Sequence, residues 1–380
     1  MSLTKVSTGV VDMSGNTGGL VIAKGNGTDV SSGGERPTCN ATILGSIREN
    51  TDSGVNKVEV CTANSGTPGW QFLEEVGPTG VVPLTVDYLV VAGGGAGGVI
   101  GGGGGAGGFR TSFGTGNING GLTAVEASQN LTANTNYTLT VGAEGIATTT
   151  PGSSGPGGTS GSGGDSSFVT TTTVLSVGGG GGGSYSAGVG GSGGSGGGGP
   201  SSNTTYAGGL RATTPVQGFN GANNNGSMPY PAGGGGGAAR AGDAYSGSGA
   251  TSGGTALASS ITGTPVLYAG GGGGGYQSYY SGTVNTSGGG GGASDGVGSS
   301  NATSATANTG SGGGGGGFGT NLYYGQGGNG GSGVVILRYP SDYAITFQTG
   351  VGFVSSTATL SATSEKVTTI TAGSGTIIFS

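Results

Sequence analysis

The chain has 380 residues, of which 102 are glycine and only 7% are charged, against about 25% in ordinary soluble domains. It has no histidine, two cysteines and a net charge of −6. Ser-His-Asp and Cys-His pairs, HExxH zinc sites and imidazole bases are therefore excluded, two cysteines build no zinc site, and the scattered basic residues form no stripe for a phosphate backbone. The expectation is a protein that is not an enzyme, with no cofactor, no metal and no nucleic-acid partner.

No stretch approaches 18 consecutive apolar residues, and Met1-Ser-Leu-Thr-Lys5 leads into no apolar signal core, so the chain as written reads as soluble and unsecreted. Residues 1–86 hold half of all the charges, both cysteines and the only tryptophan, Trp70. Within them Gly45-Ser-Ile-Arg-Glu, Lys57-Val-Glu-Val and Gly69-Trp-Gln-Phe-Leu73 predict a small antiparallel meander. Cys39 and Cys61 fall in this region either as a disulfide or as buried thiols. So small a module with few large apolar side chains needs partner surface, which points to oligomerisation. Glu74 and Glu75 are adjacent, so on a strand they face opposite ways and read as solvated.

Residues 91–340 contain 84 glycines, in pure runs at 101–105, 178–183, 196–199, 233–237, 270–275, 288–292 and 312–317. The runs are unbroken rather than every third residue, which excludes a collagen triple helix. Their similar lengths, the apolar segments between them (Tyr137-Thr-Leu-Thr-Val141, Val174-Leu-Ser-Val177, Pro265-Val-Leu-Tyr-Ala269) and the interspersed aromatics argue against a flexible linker. The alternative is polyglycine II helices, extended rods of three residues per turn that pack side by side because no Cβ holds them apart. Tyr88-Leu-Val-Val-Ala92 and Gly333-Val-Val-Ile-Leu-Arg-Tyr339 are expected as neighbouring strands that close the region.

Three motifs look chemical. Tyr88 to Gly98 places a GxGxxG after a strand, as in a dinucleotide site, but five more glycines follow where a helix is required, and the next acidic residue is Glu126. No lysine lies between Lys57 and Lys366, which closes the phosphate-loop reading. Gly163-Gly-Asp165 occurs once, too little for a calcium repeat, and reads as a turn.

The tyrosines are more informative. Tyr185, Tyr206, Tyr230, Tyr245, Tyr276, Tyr279, Tyr280, Tyr323 and Tyr324 fall between glycine runs. They either cap the rods as core or form a recognition surface; three rings within Tyr276-Gln-Ser-Tyr-Tyr280 cannot all point inward. Residues 341–380 lose the glycines and alternate, predicting a small antiparallel β module of four strands at most. No helical period with caps occurs anywhere.

Tyr88-Leu-Val-Val-Ala-Gly93, Gly103-Gly-Gly-Ala-Gly-Gly108-Phe-Arg-Thr, Tyr137-Thr-Leu-Thr-Val-Gly142, Gly163-Gly-Asp-Ser-Ser-Phe168, Gly330-Gly-Ser-Gly-Val-Val-Ile-Leu-Arg-Tyr-Pro340 and the ending from Lys366 resemble the glycine-rich tail-fibre and adhesin-like structural proteins of bacteriophages, particularly marine ones. Gly34-Glu-Arg-Pro37, Gly45-Ser-Ile-Arg-Glu-Asn50 and Trp70 resemble a recurring phage-fibre module that attaches to virion parts. The resemblance implies a mostly β and irregular fold with essentially no α-helix. Its parts are an N-terminal β virion-attachment module (1–86), a polyglycine II helix sandwich with exposed loops (87–340) and a C-terminal antiparallel β module (341–380). It further implies a virion-surface location after synthesis in the host cytoplasm, other tail or capsid proteins as partners of residues 1–86, and a homotrimer. A host surface glycan or outer-membrane protein would be bound by loops carrying Tyr276, Tyr279, Tyr280, Tyr323, Tyr324, Tyr230 and Tyr245. The alternative is a purely architectural fibre shaft, capsid decoration or extracellular filament subunit.

Overall fold

The computed structural model describes residues 47–50, 57–64, 67–72, 83–114, 118–148, 159–185, 188–228, 230–245, 251–277, 286–319 and 324–380. The chain divides into two compact units, 1–81 and 82–380. In the first, β1 (Ile47–Asn50), β2 (Lys57–Asn64) and β3 (Thr67–Phe72) form an antiparallel meander in the order β1-β2-β3, with Cys61 opposite Trp70 in register. Cys39, the other half of the expected cysteine pair, lies outside the described residues.

The second unit combines a β-sheet with a bundle of glycine rods. Its strands are β4 (Leu84–Val91), β5 (Phe109–Thr111), β6 (Ile118–Asn119), β7 (Thr123–Ala124), β8 (Gln129–Leu131), β9 (Asn136–Thr140), β10 (Ser166–Val169), β11 (Thr173–Ser176), β12 (Leu257–Ser259), β13 (Val266–Tyr268), β14 (Val334–Pro340), β15 (Ile345–Leu360) and β16 (Glu365–Phe379). The described residues contain no α-helix, only a 3-10 turn at Gly120–Leu122. The main sheet runs β11-β10-β9-β16-β14-β4-β5, with β15 on β16 and β8 on β4.

The apolar segments that open and close the glycine-rich region do pair: β4 lies antiparallel to β14, with Val91 opposite Val334 and Leu89 opposite Ile336. The paired stretches 88–91 and 334–337 are apolar on both faces because both faces are covered. Leu84, Val86, Tyr88 and Val90 join Val335, Leu337 and Tyr339 in one core, where Phe379 meets the Tyr339 ring edge-on at 5.2 Å. Leu89 and Val91 join Val334, Ile336, Phe109 and Ile261 in a second core on the opposite face. Residues 341–380 form two long strands. Register shifts between Phe347 and Thr349 and between Val351 and Val354 are bulges that keep β15 continuous instead of ending it in a turn. β16 bonds to β15 along its length and, on its other side, to β14 and then β9.

Strands of this sheet run directly into the rods. β4 continues as residues 92–98, turns at Val99 and Ile100, and returns as 101–108 into β5. The three-residue helical repeat is written in the hydrogen bonds. Ala92, Gly95 and Gly98 donate to Gly108, Gly105 and Gly102; Gly93 and Ala96 donate to Gly164 and Gly161; Gly94, Gly97 and Ile100 donate to Gly331, Gly328 and Gly325. Every third amide faces the same neighbour, as a polyglycine II helix requires.

The returning rod, 101–108, is the centre of the lattice. It donates to 310–317, 177–183 and 233–236 at 2.8–3.1 Å and accepts from 92–98, 195–198 and 270–275. Six neighbours around one rod is hexagonal packing, and at its glycines it leaves no room for a side chain: a Cβ at Gly104 would stand 2.0 Å from the Gly95 carbonyl oxygen, and one at Gly235 would stand 2.0 Å from that of Gly104. Where no neighbouring rod accepts an amide, polar side chains do. Asp165 Oδ1 accepts from Gly178, Gln217 Oε1 from Val177, Asn329 Oδ1 from Ala147 and Asn301 Oδ1 from Gln326.

Candidate functional site

The sheet holds one end of the rods, and one set of their turns lies at the other. The Val99–Ile100 turn marks that tip, and Gly101, Gly183, Gly198, Gly275, Gly316 and Gly325 lie level with it through their mutual hydrogen bonds. The connections that begin or end there contain the tyrosines. Tyr185 donates its backbone N–H to Val99, Ser201 to Ile100, Tyr276 to Val297 and Phe318 to Tyr276.

A buried polar framework ties these turns together. Gln277, buried, donates from Nε2 to Ser201 Oγ at 3.0 Å, and the Ser201 hydroxyl donates to the Tyr230 carbonyl. Asn224, also buried, donates from Nδ2 to the Ser202 and Thr204 carbonyls and accepts from the Tyr206 N–H. Tyr230 itself takes a positive φ of 52°, held by its N–H bond to Ser227.

Residues 75–340 match the glycine-rich domain family. The chain belongs to that family. No curated protein and no solved structure matches it. The matched span of the glycine-rich domain covers β4, the rods, their tip and β14.

Of the tyrosines expected to bind, four lie within the described part of this glycine-rich domain, and all four are on the tip side. Tyr324 is 38% exposed and its ring packs against Phe318, centroids 5.3 Å apart and tilted by 60°. Tyr276 is half-buried: its ring lies over Gly298, where a Cβ would come within 2.3 Å of Cζ. Tyr230 and Tyr245 are half-buried, and the Tyr245 carbonyl accepts from Asn225 Nδ2. Tyr279, Tyr280 and Tyr323 lie outside the described residues. Tyr185, 40% exposed, and Tyr206 come to the same end. The two readings of the rings thus divide by residue, with Tyr276 largely structural and Tyr324 and Tyr185 presented outward.

Sequence reasoning missed Phe318, Gln277, Ser201 and Asn224. The available signal was position, since Phe318 and Ser201 closely follow the glycine runs 312–317 and 196–199. Among the described residues no group of three or more His, Cys, Asp or Glu side chains is placed to hold a metal ion. What the tip offers is aromatic faces and neutral hydrogen-bonding groups on a rigid base, the composition of a non-covalent recognition surface.

Proposed function

We propose that this protein is a virion surface structural protein of the phage tail-fibre or adhesin type, binding a host-cell surface receptor non-covalently through the tip of its glycine-rich domain. The observation that carries the reading is the gathering of Tyr185, Tyr206, Tyr230, Tyr245, Tyr276 and Tyr324 at the rod end opposite the sheet. A rod bundle fixed by backbone bonds holds loops at a distance from their anchor, and exposed tyrosines give large contact area at small entropic cost. In this reading residues 1–86 attach to other tail or capsid proteins, the receptor is a host glycan or outer-membrane protein, and the assembly is a homotrimer. The test is attachment of fluorescently labelled protein to a panel of bacterial strains, with Tyr185→Ser and Tyr324→Ser variants that keep a cooperative unfolding transition and are folded at the assay temperature. Saturable attachment that the variants weaken supports the reading; attachment unchanged by both removes the tip from it.

A second reading, an architectural subunit without its own receptor, draws on β15. This 16-residue edge strand contains no charged residue, and nearly all of its described side chains are exposed or half-buried. Long uncharged edges are usually covered by another chain. Sedimentation of the intact protein distinguishes the two, because a subunit of this kind assembles further through β15 and a receptor-binding tip leaves assembly unchanged.

A further inference from the structure

We infer that the tip recognises an uncharged oligosaccharide, an inference that rests on the receptor-binding reading above and narrows it to one ligand chemistry. The described residues of the tip connections, at 184–185, 188–189, 200–207, 223–228, 230–231, 244–245, 276–277, 298–302, 318–319 and 324–325, include no Asp, Glu, Lys or Arg. The ten charged residues between 87 and 340 all lie outside these connections; of those close to one in sequence, Asp243 pairs with Arg240, Asp295 Oδ1 accepts from the Gly288 N–H, and Arg211 donates to the Gly218 carbonyl.

An anionic ligand, whether phosphorylated, sulfated or carboxylated, is held by Arg or Lys or by a nest of unpaired backbone N–H groups. The described residues of the tip connections include no Arg or Lys. The N–H groups of Ile100, Tyr185, Ser201, Tyr276 and Phe318 all donate to backbone carbonyls, and the chain's net charge of −6 repels anions at long range. A cationic ligand lacks a carboxylate partner for the same reason. A protein partner normally meets Arg at hot spots and charges at the rim, and those are absent as well.

What remains fits a neutral sugar. The C–H face of a pyranose lies on an aromatic ring, for which the exposed Tyr185 and Tyr324 are available. Its hydroxyls, each both donor and acceptor, match amide and hydroxyl side chains, and Asn203, Thr204 and Thr205 are exposed beside the framework built on Asn224. The buried amides of Gln277 and Asn224 are occupied in positioning these loops, so the sugar is read by the outer residues.

The test has two arms on the intact labelled protein. On an immobilised panel of neutral, sulfated, phosphorylated and sialylated oligosaccharides, binding is expected on neutral glycans only, changing less than about twofold between low and high salt and falling at least about tenfold in Tyr185→Ser and Tyr324→Ser. On the bacterial strains, attachment is expected to be lost after periodate oxidation of the cells and retained after protease treatment. Binding to charged glycans, a tenfold loss in high salt, or attachment that resists periodate and is abolished by protease overturns the inference while leaving receptor binding standing. Attachment to none of the strains overturns both.

Discussion

Replacing Gly104 by alanine tests the rod lattice at its centre. The new Cβ would stand 2.0 Å from the Gly95 carbonyl oxygen and 2.6 Å from its carbon, so the two rods must separate by more than 1 Å to reach even a tight contact. Rod 101–108 has neighbours on every side, and moving it strains the Gly104 N–H to Gly313 bond at 2.8 Å, the Gly272 N–H to Gly104 bond at 2.9 Å and the Gly95 to Gly105 bond at 2.9 Å. A buried backbone group left without its partner costs about 1–3 kcal/mol, so two or three weakened bonds sum to about 3–6 kcal/mol. The lower entropy of the unfolded alanine chain offsets only about 0.4–1 kcal/mol. The net loss is a large fraction of the roughly 5–15 kcal/mol that domains possess. Equilibrium denaturation followed by circular dichroism reads it as a lower midpoint. The control lies in the same rod: Ala106 is fully buried with its Cβ already accommodated, and Ala106→Gly should cost only about 1 kcal/mol. If Gly104→Ala unfolds at the parent's midpoint, the close-packed lattice is refuted.

Amide hydrogen exchange provides an independent check: Gly104, Gly105 and Gly272 should rank among the slowest-exchanging amides, and exchange at the rate of an unstructured peptide would return the region to a linker. The Tyr88 hydroxyl donates to Glu126 at 2.8 Å, and burial first, then the Glu126 charge, hold its pKa well above the ordinary 10.0. The neutral phenol is thus favoured in the folded state, so its stabilisation is intact below pH 10 and is lost as the pH climbs further. Tyr88→Phe should flatten that alkaline decline in midpoint-against-pH measurements. For Glu365 the balance runs the other way: burial raises its pKa, but the Arg338 and Thr363 hydrogen bonds and the Arg338 charge bring it below the usual 4.5. Its contribution is therefore present above pH 4.5 and is lost as acid protonates it, and Glu365→Gln should cost about 1–2 kcal/mol at neutral pH and little in acid. Tyr324→Ser removes the Phe318 ring contact and should cost about 0.5–1.5 kcal/mol, leaving the cooperative transition in place when checked by the same denaturation.

The pairing of β4 with β14 was legible because Tyr88-Leu-Val-Val and Val334-Val-Ile-Leu are the two apolar runs that bracket the glycines, and burial on both faces leaves such runs few alternatives. The rods themselves were legible from glycine runs too long for turns and too irregular for collagen. Which rod neighbours which was not, since a glycine carries no side chain to specify register. Register is set instead by residues that look incidental in the sequence, such as Asp165, Gln217 and Asn329, each bonding one amide that no rod reaches. The glycine in Gly163-Gly-Asp165 belongs to a rod whose aspartate accepts the Gly178 N–H, not to a turn alone. Tyr276, Tyr230, Tyr245 and Tyr324 could be read from the sequence as lying between glycine runs, but not at which end of the rods they lie. Whether a ring points outward depends on what lies beneath it, and the seat of Tyr276 is Gly298, 22 residues away in the chain.

The hexagonal lattice also sets how stability responds to temperature. Unfolding a conventional core exposes apolar surface, whose hydration gives the large heat-capacity increment that curves the stability profile; exposing peptide groups contributes with the opposite sign. Rods such as 101–108 and 312–317 present backbone to backbone, so their melting releases mostly peptide surface. The heat-capacity change per residue should therefore fall below the usual ~12–15 cal/mol/K, giving a flat, enthalpy-dominated curve that changes little between cold and warm water.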